Sequence, residues 1–238
     1  MNRRAKRYIG WALIPVLLSC TALAQRPQEP GALQQKFQEM QQATAMNEQQ
    51  LHGYQWMETT TLTIDGKPRP PQQSICRYGT DGTLRKTPLQ AQEAPRVSGG
   101  PLRKHIAEKK IEEFQEKVAQ IHALTALYLP LNHTKLEQAL HANRVDLERD
   151  GTNGSSIIVN DYAKPGDQLR LTPNVSTMRL QYIGVKSYFD QPSDGLTADV
   201  QFSLLPDGTA YPSFTTINAP SKKISITTVS SDFSKPTY

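Results

Sequence analysis

Residues 196–204 read LTADVQFSL, and this stretch decides the fold. Apolar and polar side chains alternate at every step, with Leu196, Ala198 and Val200 on one parity. Such alternation is typical of a strand with one buried and one hydrated face, and therefore of an antiparallel sheet. The sequence PDG at 206–208 follows directly and favours a hairpin turn.

Further strands are predicted on both sides of this stretch. Residues 54–89 also alternate with a period of two and contain two Asp-Gly turn signals, which predicts three strands. In 176–190 the apolar parity changes near Gly184, so we predict a bulge or a bend at this glycine. The candidate strands after Arg144 are 155–160, 167–172, 176–190, 196–205, 210–218 and 222–230.

Two segments have helical periodicity. Residues 31–51 are rich in glutamine and carry apolar residues near helical spacing, which predicts an amphipathic helix. Residues 102–142 form a helical insertion, in which Pro130 ends a long helix and the capping-box pattern at 134–137 begins a short one. We therefore predict a single α+β domain over 25–238: a curved antiparallel sheet, or unclosed β-barrel, with the helices on its concave side.

The first 24 residues have the features of a secretory signal. A basic start and a short apolar run precede Ala22-Leu23-Ala24, which predicts cleavage between Ala24 and Gln25. The apolar run is too short for a transmembrane helix. The sequence LLSC at 17–20 also resembles a lipobox, so acylation of Cys20 is the alternative. We expect a periplasmic or secreted protein, or with acylation an outer-membrane lipoprotein peripherally bound to the membrane.

Charge and motif content exclude several classes of protein. The formal charge is +5, but without residues 1–24 only 23 basic and 22 acidic residues remain, which argues against a nucleic-acid-binding charge field. Two cysteines exclude a disulfide-rich scaffold and a Cys-ligated zinc site. The common hydrolase, P-loop and dinucleotide motifs are absent, and we expect a non-enzymatic protein without cofactor or metal.

Three single features have more than one interpretation. Glu58 interrupts the apolar parity of the first strand, and is either an acid in a pocket or a residue that lies at a sheet edge or pairs with an arginine. Asp146, Glu148 and Asp150 indicate an acidic turn rather than a calcium loop, which needs a longer ligand spacing. Cys76 lies in a predicted strand and is interpreted as a buried, inert thiol.

Shape, rather than a motif, is the candidate source of function. Large side chains fall on the predicted inner faces of the strands. In a strongly curved sheet they would line an apolar cavity for an acyl chain, whereas helices filling the concavity would make them core. These candidate ligand-binding residues are Tyr54, Trp56, Leu62, Met178, Leu180, Tyr182 and Phe202.

The order of elements resembles that of the LolA/LolB-like periplasmic lipoprotein carriers. A signal peptide and a helix precede Tyr54-x-Trp56, strands with Asp-Gly turns, a helical insertion and long antiparallel strands. The stretch from KPGD at 164–167 to DGT at 207–209 also resembles uncharacterised secreted bacterial proteins of this type. The resemblance implies an unclosed barrel with helices lidding an apolar cavity, and a lipid or lipoprotein as partner.

Two functions therefore remain open. The first is an exported, non-enzymatic bacterial envelope protein that binds a lipid or a lipoprotein acyl chain in a half-barrel cavity with few charges at its base. The second is a structural or interaction module of the envelope, with a filled core, which binds its partners through its surface helices.

Overall fold

The computed structural model describes residues 30–89, 101–150 and 154–236. The predicted signal peptide, with Cys20, Ala24 and Gln25, lies outside the described residues. None of the described helices is long and apolar enough to cross a membrane.

The described residues form three α-helices and eleven strands, with a short 3₁₀ turn at Pro220–Lys222. The helices are α1 (Pro30–Leu51), α2 (Pro101–Thr125) and α3 (His133–His141). The first strands are β1 (Gln55–Ile64), β2 (Lys67–Pro68), β3 (Gln72–Tyr78) and β4 (Leu84–Pro88). The later strands are β5 (Val145–Asp150), β6 (Gly154–Asn160), β7 (Gln168–Pro173), β8 (Leu180–Tyr188), β9 (Gly195–Leu204), β10 (Ala210–Ala219) and β11 (Ile224–Ser234).

All strands belong to one antiparallel sheet in the order β4-β3-β1-β11-β10-β9-β8-β7-β6-β5, with β2 paired to β1 alone. The first and last strands are neighbours, since Thr60 pairs with Thr228 and Leu62 with Ile226. The path is open, because β4 and β5 lie at its two ends. The predicted α+β class is confirmed: an unclosed antiparallel sheet with an N-terminal helix and a helical insertion.

The helices pack on one face of the sheet, which we call the inner face. Phe37 and Met40 of α1 and Ile121 of α2 are at most 1% exposed within the main core. On β6 to β9 the inner face is apolar, and Leu171 and Val185 lie in the same core. Full burial of such a side chain contributes about 1.5–3 kcal/mol, so this half of the sheet holds the helices in place.

Strand β5 corrects the interpretation of 146–150 as an acidic turn. Leu147 pairs with Ile157 of β6, so the segment is an edge strand. Asp146 accepts a hydrogen bond of 2.8 Å from Asn160, and Glu148 lies 2.5 Å from Arg170. Only two apolar residues alternate in this strand, which is too short a pattern to distinguish it from a turn.

The change of parity in β8 is a bulge, but not at the predicted Gly184. Thr172 pairs with Tyr182, whereas the residue after Thr172 pairs with Leu180, so Gln181 is the extra residue. Gly184 itself pairs regularly with both neighbouring strands. It provides room for an aromatic ring, because a Cβ at this position would lie 2.7 Å from the hydroxyl oxygen of Tyr182.

The helical insertion differs from the prediction at its internal boundaries. α2 ends at Thr125, ahead of Pro130. α3 begins after Asn132, whose side-chain oxygen accepts a hydrogen bond of 3.0 Å from the backbone N–H of Lys135. Thr134, the predicted cap, is already inside the helix.

Candidate functional site

The inner face changes character where the sheet passes from β9 to β10. On β10, β11 and β1, hydroxyl and charged side chains lie beside apolar ones on this face. Strand register aligns the apolar, hydroxyl and charged side chains in three rows across these strands. The apolar row is Leu62, Ile226 and Ile217; the hydroxyl row is Thr60, Thr228 and Thr215; the polar row is Glu58 and Ser230.

A cavity of about 400 Å³ lies over these rows. All eight row residues line it, together with Val118 and His122 of α2. Lys86 of β4 and Arg69, which follows β2, contribute on the side of the sheet edge. The volume is within the usual range for small-molecule sites. The concavity is therefore filled by helices over one half of the sheet and open over the other.

Glu58 is the one acidic residue among the described residues that line this cavity. Its side chain accepts hydrogen bonds from Trp56 Nε1 at 3.2 Å and from Lys86 Nζ at 2.5 Å. A carboxylate that is only 8% exposed needs such partners to offset its loss of hydration. Glu58 is thus an acid in a pocket, and its charged partner is a lysine rather than the predicted arginine.

An aromatic cluster lies next to Glu58 at one end of the inner face. The rings of Trp56 and Phe233 are stacked, with centroids 5.5 Å apart and planes at 10°. Tyr78 packs on the other side of Trp56, at 5.7 Å, and His52 covers Tyr78. Tyr211 extends the cluster beyond Phe233, at 4.2 Å. The cluster joins β3, β1, β11 and β10, and Trp56 is 4% exposed within it.

Cys76 pairs with Trp56 across β3 and β1. It is fully buried, as predicted. Burial, together with the nearby Glu58 charge, raises the pKa of the thiol to about 12. The cysteine therefore remains protonated at neutral pH and is a poor nucleophile.

The structure separates the seven candidate ligand-binding residues. Leu62 lines the main cavity, and Trp56 lies behind Glu58 in the aromatic cluster. Leu180 and Phe202 line a small cleft of about 30 Å³ beside α1. Met178 lines an open groove between α1 and the turn before β8.

Tyr54 and Tyr182 lie away from the cavity lining. Tyr54 donates a hydrogen bond of 2.5 Å to Asp207, and this bond is the main cause that lowers the pKa of Asp207 to about 2. Tyr182 donates to Asp199 and lies on the face opposite the helices, which corrects its predicted inner-face position. The bulge at Gln181 is the physical reason, because it reverses the parity between Leu180 and Tyr182.

Most of the cavity lining was missed by the sequence prediction. Glu58 and Thr60 lie between Trp56 and Leu62 on the same face of the strand, and both are polar. This interruption of an apolar face was the one sequence signal for the cavity. Arg69 and Lys86 lie in short or exposed segments in which apolar and polar residues do not alternate, so no sequence pattern indicated them. Among the described residues, no group of three or more His, Cys, Asp or Glu side chains is placed to hold a metal ion.

The fold and the cavity define a class of protein: an open antiparallel sheet with one helix-covered face. No family model and no curated protein matches the sequence. Among solved structures, the chain is similar to a LolA superfamily protein from Nitrosomonas europaea, with 9% identity, 84% of this chain and 94% of that chain covered, and a TM-score of 0.39.

Two further solved structures are similar. A DUF1329 family protein from Desulfovibrio piger has 6% identity, with 85% of this chain and 92% of that chain covered and a TM-score of 0.40. A domain from Vibrio parahaemolyticus, named for outer membrane lipoprotein sorting, has 10% identity, with 86% and 93% covered and a TM-score of 0.41. These likenesses concern the fold, and function is argued below from the residues of this chain.

Proposed function

We propose that this protein is an exported, non-enzymatic envelope protein that binds the acyl chain of a lipid or lipoprotein in the cavity over β1, β11 and β10. The observation that carries the proposal is the apolar row beneath an open cavity of about 400 Å³. Leu62, Ile226 and Ile217 lie side by side, and Val118 of α2 also lines the cavity. Each methylene group of a chain buried there would contribute about 0.8 kcal/mol.

The hydroxyl row favours an amphipathic ligand over a hydrocarbon. Thr60 and Thr228 share a hydrogen bond of 3.1 Å, and Thr215 continues the row. These groups are half-buried, so an ester or other polar group next to the chain would offset their loss of water. An interaction module with a filled core is the alternative, and it is supported by the core, which includes Ile226 and has Leu62 and Ile217 packed against it.

Native mass spectrometry of the full precursor, expressed in a bacterial host, tests the proposal. The soluble and membrane fractions are analysed separately. The covalent mass separates a chain that starts at Gln25 from one that starts at an acylated Cys20. A non-covalent adduct of lipid mass is the expected result, and a clean apo mass in both fractions would instead favour the interaction module.

A matched pair of variants then locates the adduct. Thr215→Phe fills the cavity from its floor, and we expect it to lower lipid occupancy at least tenfold. Thr216→Phe places the same ring on the opposite face of β10 and should leave occupancy unchanged. Equal occupancy in the two variants would place the ligand elsewhere.

A further inference from the structure

Three basic side chains line the cavity. Arg69 follows β2, Lys86 belongs to β4 and His122 belongs to α2, and all three are exposed. The acid that lines the cavity, Glu58, is buried on the floor and is already paired with Lys86. The opening of the cavity, as the described residues form it, thus retains an uncompensated positive charge at Arg69.

Arg69 is held beside the apolar row by its backbone. Its N–H donates a hydrogen bond of 2.8 Å to the carbonyl oxygen of Leu62. Its guanidinium makes no hydrogen bond or ion pair with any side chain in the described ranges 30–89, 101–150 and 154–236. The donors of Arg69 are therefore available to a ligand, next to the place where the chain would lie.

We propose that the ligand carries an anionic head group, a carboxylate or a phosphate, which binds the guanidinium of Arg69 at the opening of the cavity. This inference rests on the proposed function, since it adds a charged head to the chain on the apolar row. Arginine presents a planar set of donors that matches two oxygens of a carboxylate or phosphate. A ring N–H of His122, which also lines the cavity, is a further donor.

The proposal is specific to the head group and not to the chain. Lys86 is already engaged by Glu58 at 2.5 Å, so Arg69 is the principal charge available for the head. An uncharged amphiphile with the same chain would leave the guanidinium unpaired. The two ligands should therefore differ in affinity although they bury the same apolar surface.

Isothermal titration calorimetry with three probes of equal chain length tests this inference on the full mature chain. The probes are oleate, 1-oleoyl lysophosphatidate and oleyl alcohol, each below its micellar concentration. We expect both anions to bind at least tenfold more tightly than the alcohol. The ratio between the two anions identifies carboxylate or phosphate as the better head group.

Arg69→Gln removes the charge and keeps the length of a polar side chain, while Lys67→Gln is the matched control on the same hairpin. Lys67 is exposed and does not line the cavity. We expect Arg69→Gln to weaken anion binding about tenfold and to leave the alcohol unchanged, as loss of a charge-assisted hydrogen bond predicts. Lys67→Gln should change neither affinity by more than about twofold.

Two outcomes would overturn the inference in different ways. If oleate and oleyl alcohol bind equally and Arg69→Gln affects neither, the head-group assignment is wrong and the proposed function stands. If none of the three probes binds, the proposed function fails and the inference fails with it. Melting temperatures of both variants, expected to equal that of the parent, show that each is folded.

Discussion

At the scale of single residues, Trp56 connects the aromatic cluster to the carboxylate in the cavity. Its ring stacks on Phe233, and its indole N–H donates to Glu58. We expect Trp56→Ala to lower the free energy of unfolding by about 3–5 kcal/mol, because it removes a large buried side chain. Urea unfolding followed by circular dichroism measures this change.

Trp56→Phe separates the packing of Trp56 from its hydrogen bond. A smaller aromatic ring remains and the donor to Glu58 is lost, so a smaller loss of about 1.5–3 kcal/mol is expected. Since Trp56 does not line the main cavity, lipid occupancy of the folded protein should be unchanged in both variants. Native stability with reduced lipid occupancy would instead make Trp56 a ligand contact. Native stability with native lipid occupancy would show that Trp56 neither stabilises the fold nor contacts the ligand.

At the scale of elements, the start of α3 shows how a sequence signal is displaced by two residues. The pattern at 134–137 fits a capping box, yet the observed cap is Asn132. The backbone at Asn132 is extended, with φ −98° and ψ 107°, which is the conformation that a cap requires. Two residues of cap-forming type, Asn132 and Thr134, lie two positions apart at the start of the helix, and the sequence alone does not choose between them.

Substitution of each residue distinguishes the two caps. Asn132→Ala should destabilise the protein by about 1 kcal/mol, because it leaves the N–H of Lys135 without its acceptor. Thr134→Ala should change stability by less than about 0.5 kcal/mol, since Thr134 is exposed and inside the helix. Thermal unfolding of the two variants side by side measures the difference, and a larger effect at Thr134 would restore the capping box.

The same scale explains which strands were predictable. β9 alternates over its whole length, and its predicted bounds of 196–205 differ from the observed Gly195–Leu204 by one residue at each end. β8 has the same kind of side chains, but a single extra residue at Gln181 reverses its parity. Alternation indicates which residues share a face only where strand pairing is regular. The bulge therefore made the predicted face of Tyr182 wrong.

At the scale of the whole molecule, the cavity depends on pairing between the two ends of the chain. Leu62 and Ile226 become neighbours only because β1 pairs with β11. The sequence predicts that each residue is in a strand, but strand order is a non-local property that periodicity does not contain. The open antiparallel class was therefore predictable, whereas the three rows and the basic opening were not.

The acidic protons of Cys76, Tyr182 and Tyr128, which lie in different parts of the fold, also make its stability sensitive to alkaline pH. Burial raises the pKa of Cys76 to about 12, and burial with the bond to Asp199 raises that of Tyr182 to about 12. Burial and the hydrogen bond to Asp167 likewise raise the pKa of Tyr128. The folded state thus holds these protons at pH values where the unfolded chain has released them.

Stability should therefore be fully present below pH 9 and should fall as pH rises from 9 to 12. The thiol ionises first in the unfolded chain, near its ordinary value of 9.0, and the tyrosines follow near 10.0. The buried thiol adds a slope of up to about 1.4 kcal/mol per pH unit once its unfolded form ionises, and the half-buried Tyr182 adds less because solvent screens its interactions. Urea unfolding at pH 8, 9, 10 and 11 measures the slope.

In Cys76→Ala the free energy of unfolding should begin to fall one pH unit later. This expectation holds whatever stability the substitution itself removes at pH 8. An identical slope between pH 9 and 10 in both proteins would show that the thiol contributes nothing, and that its surroundings admit the thiolate as readily as water does.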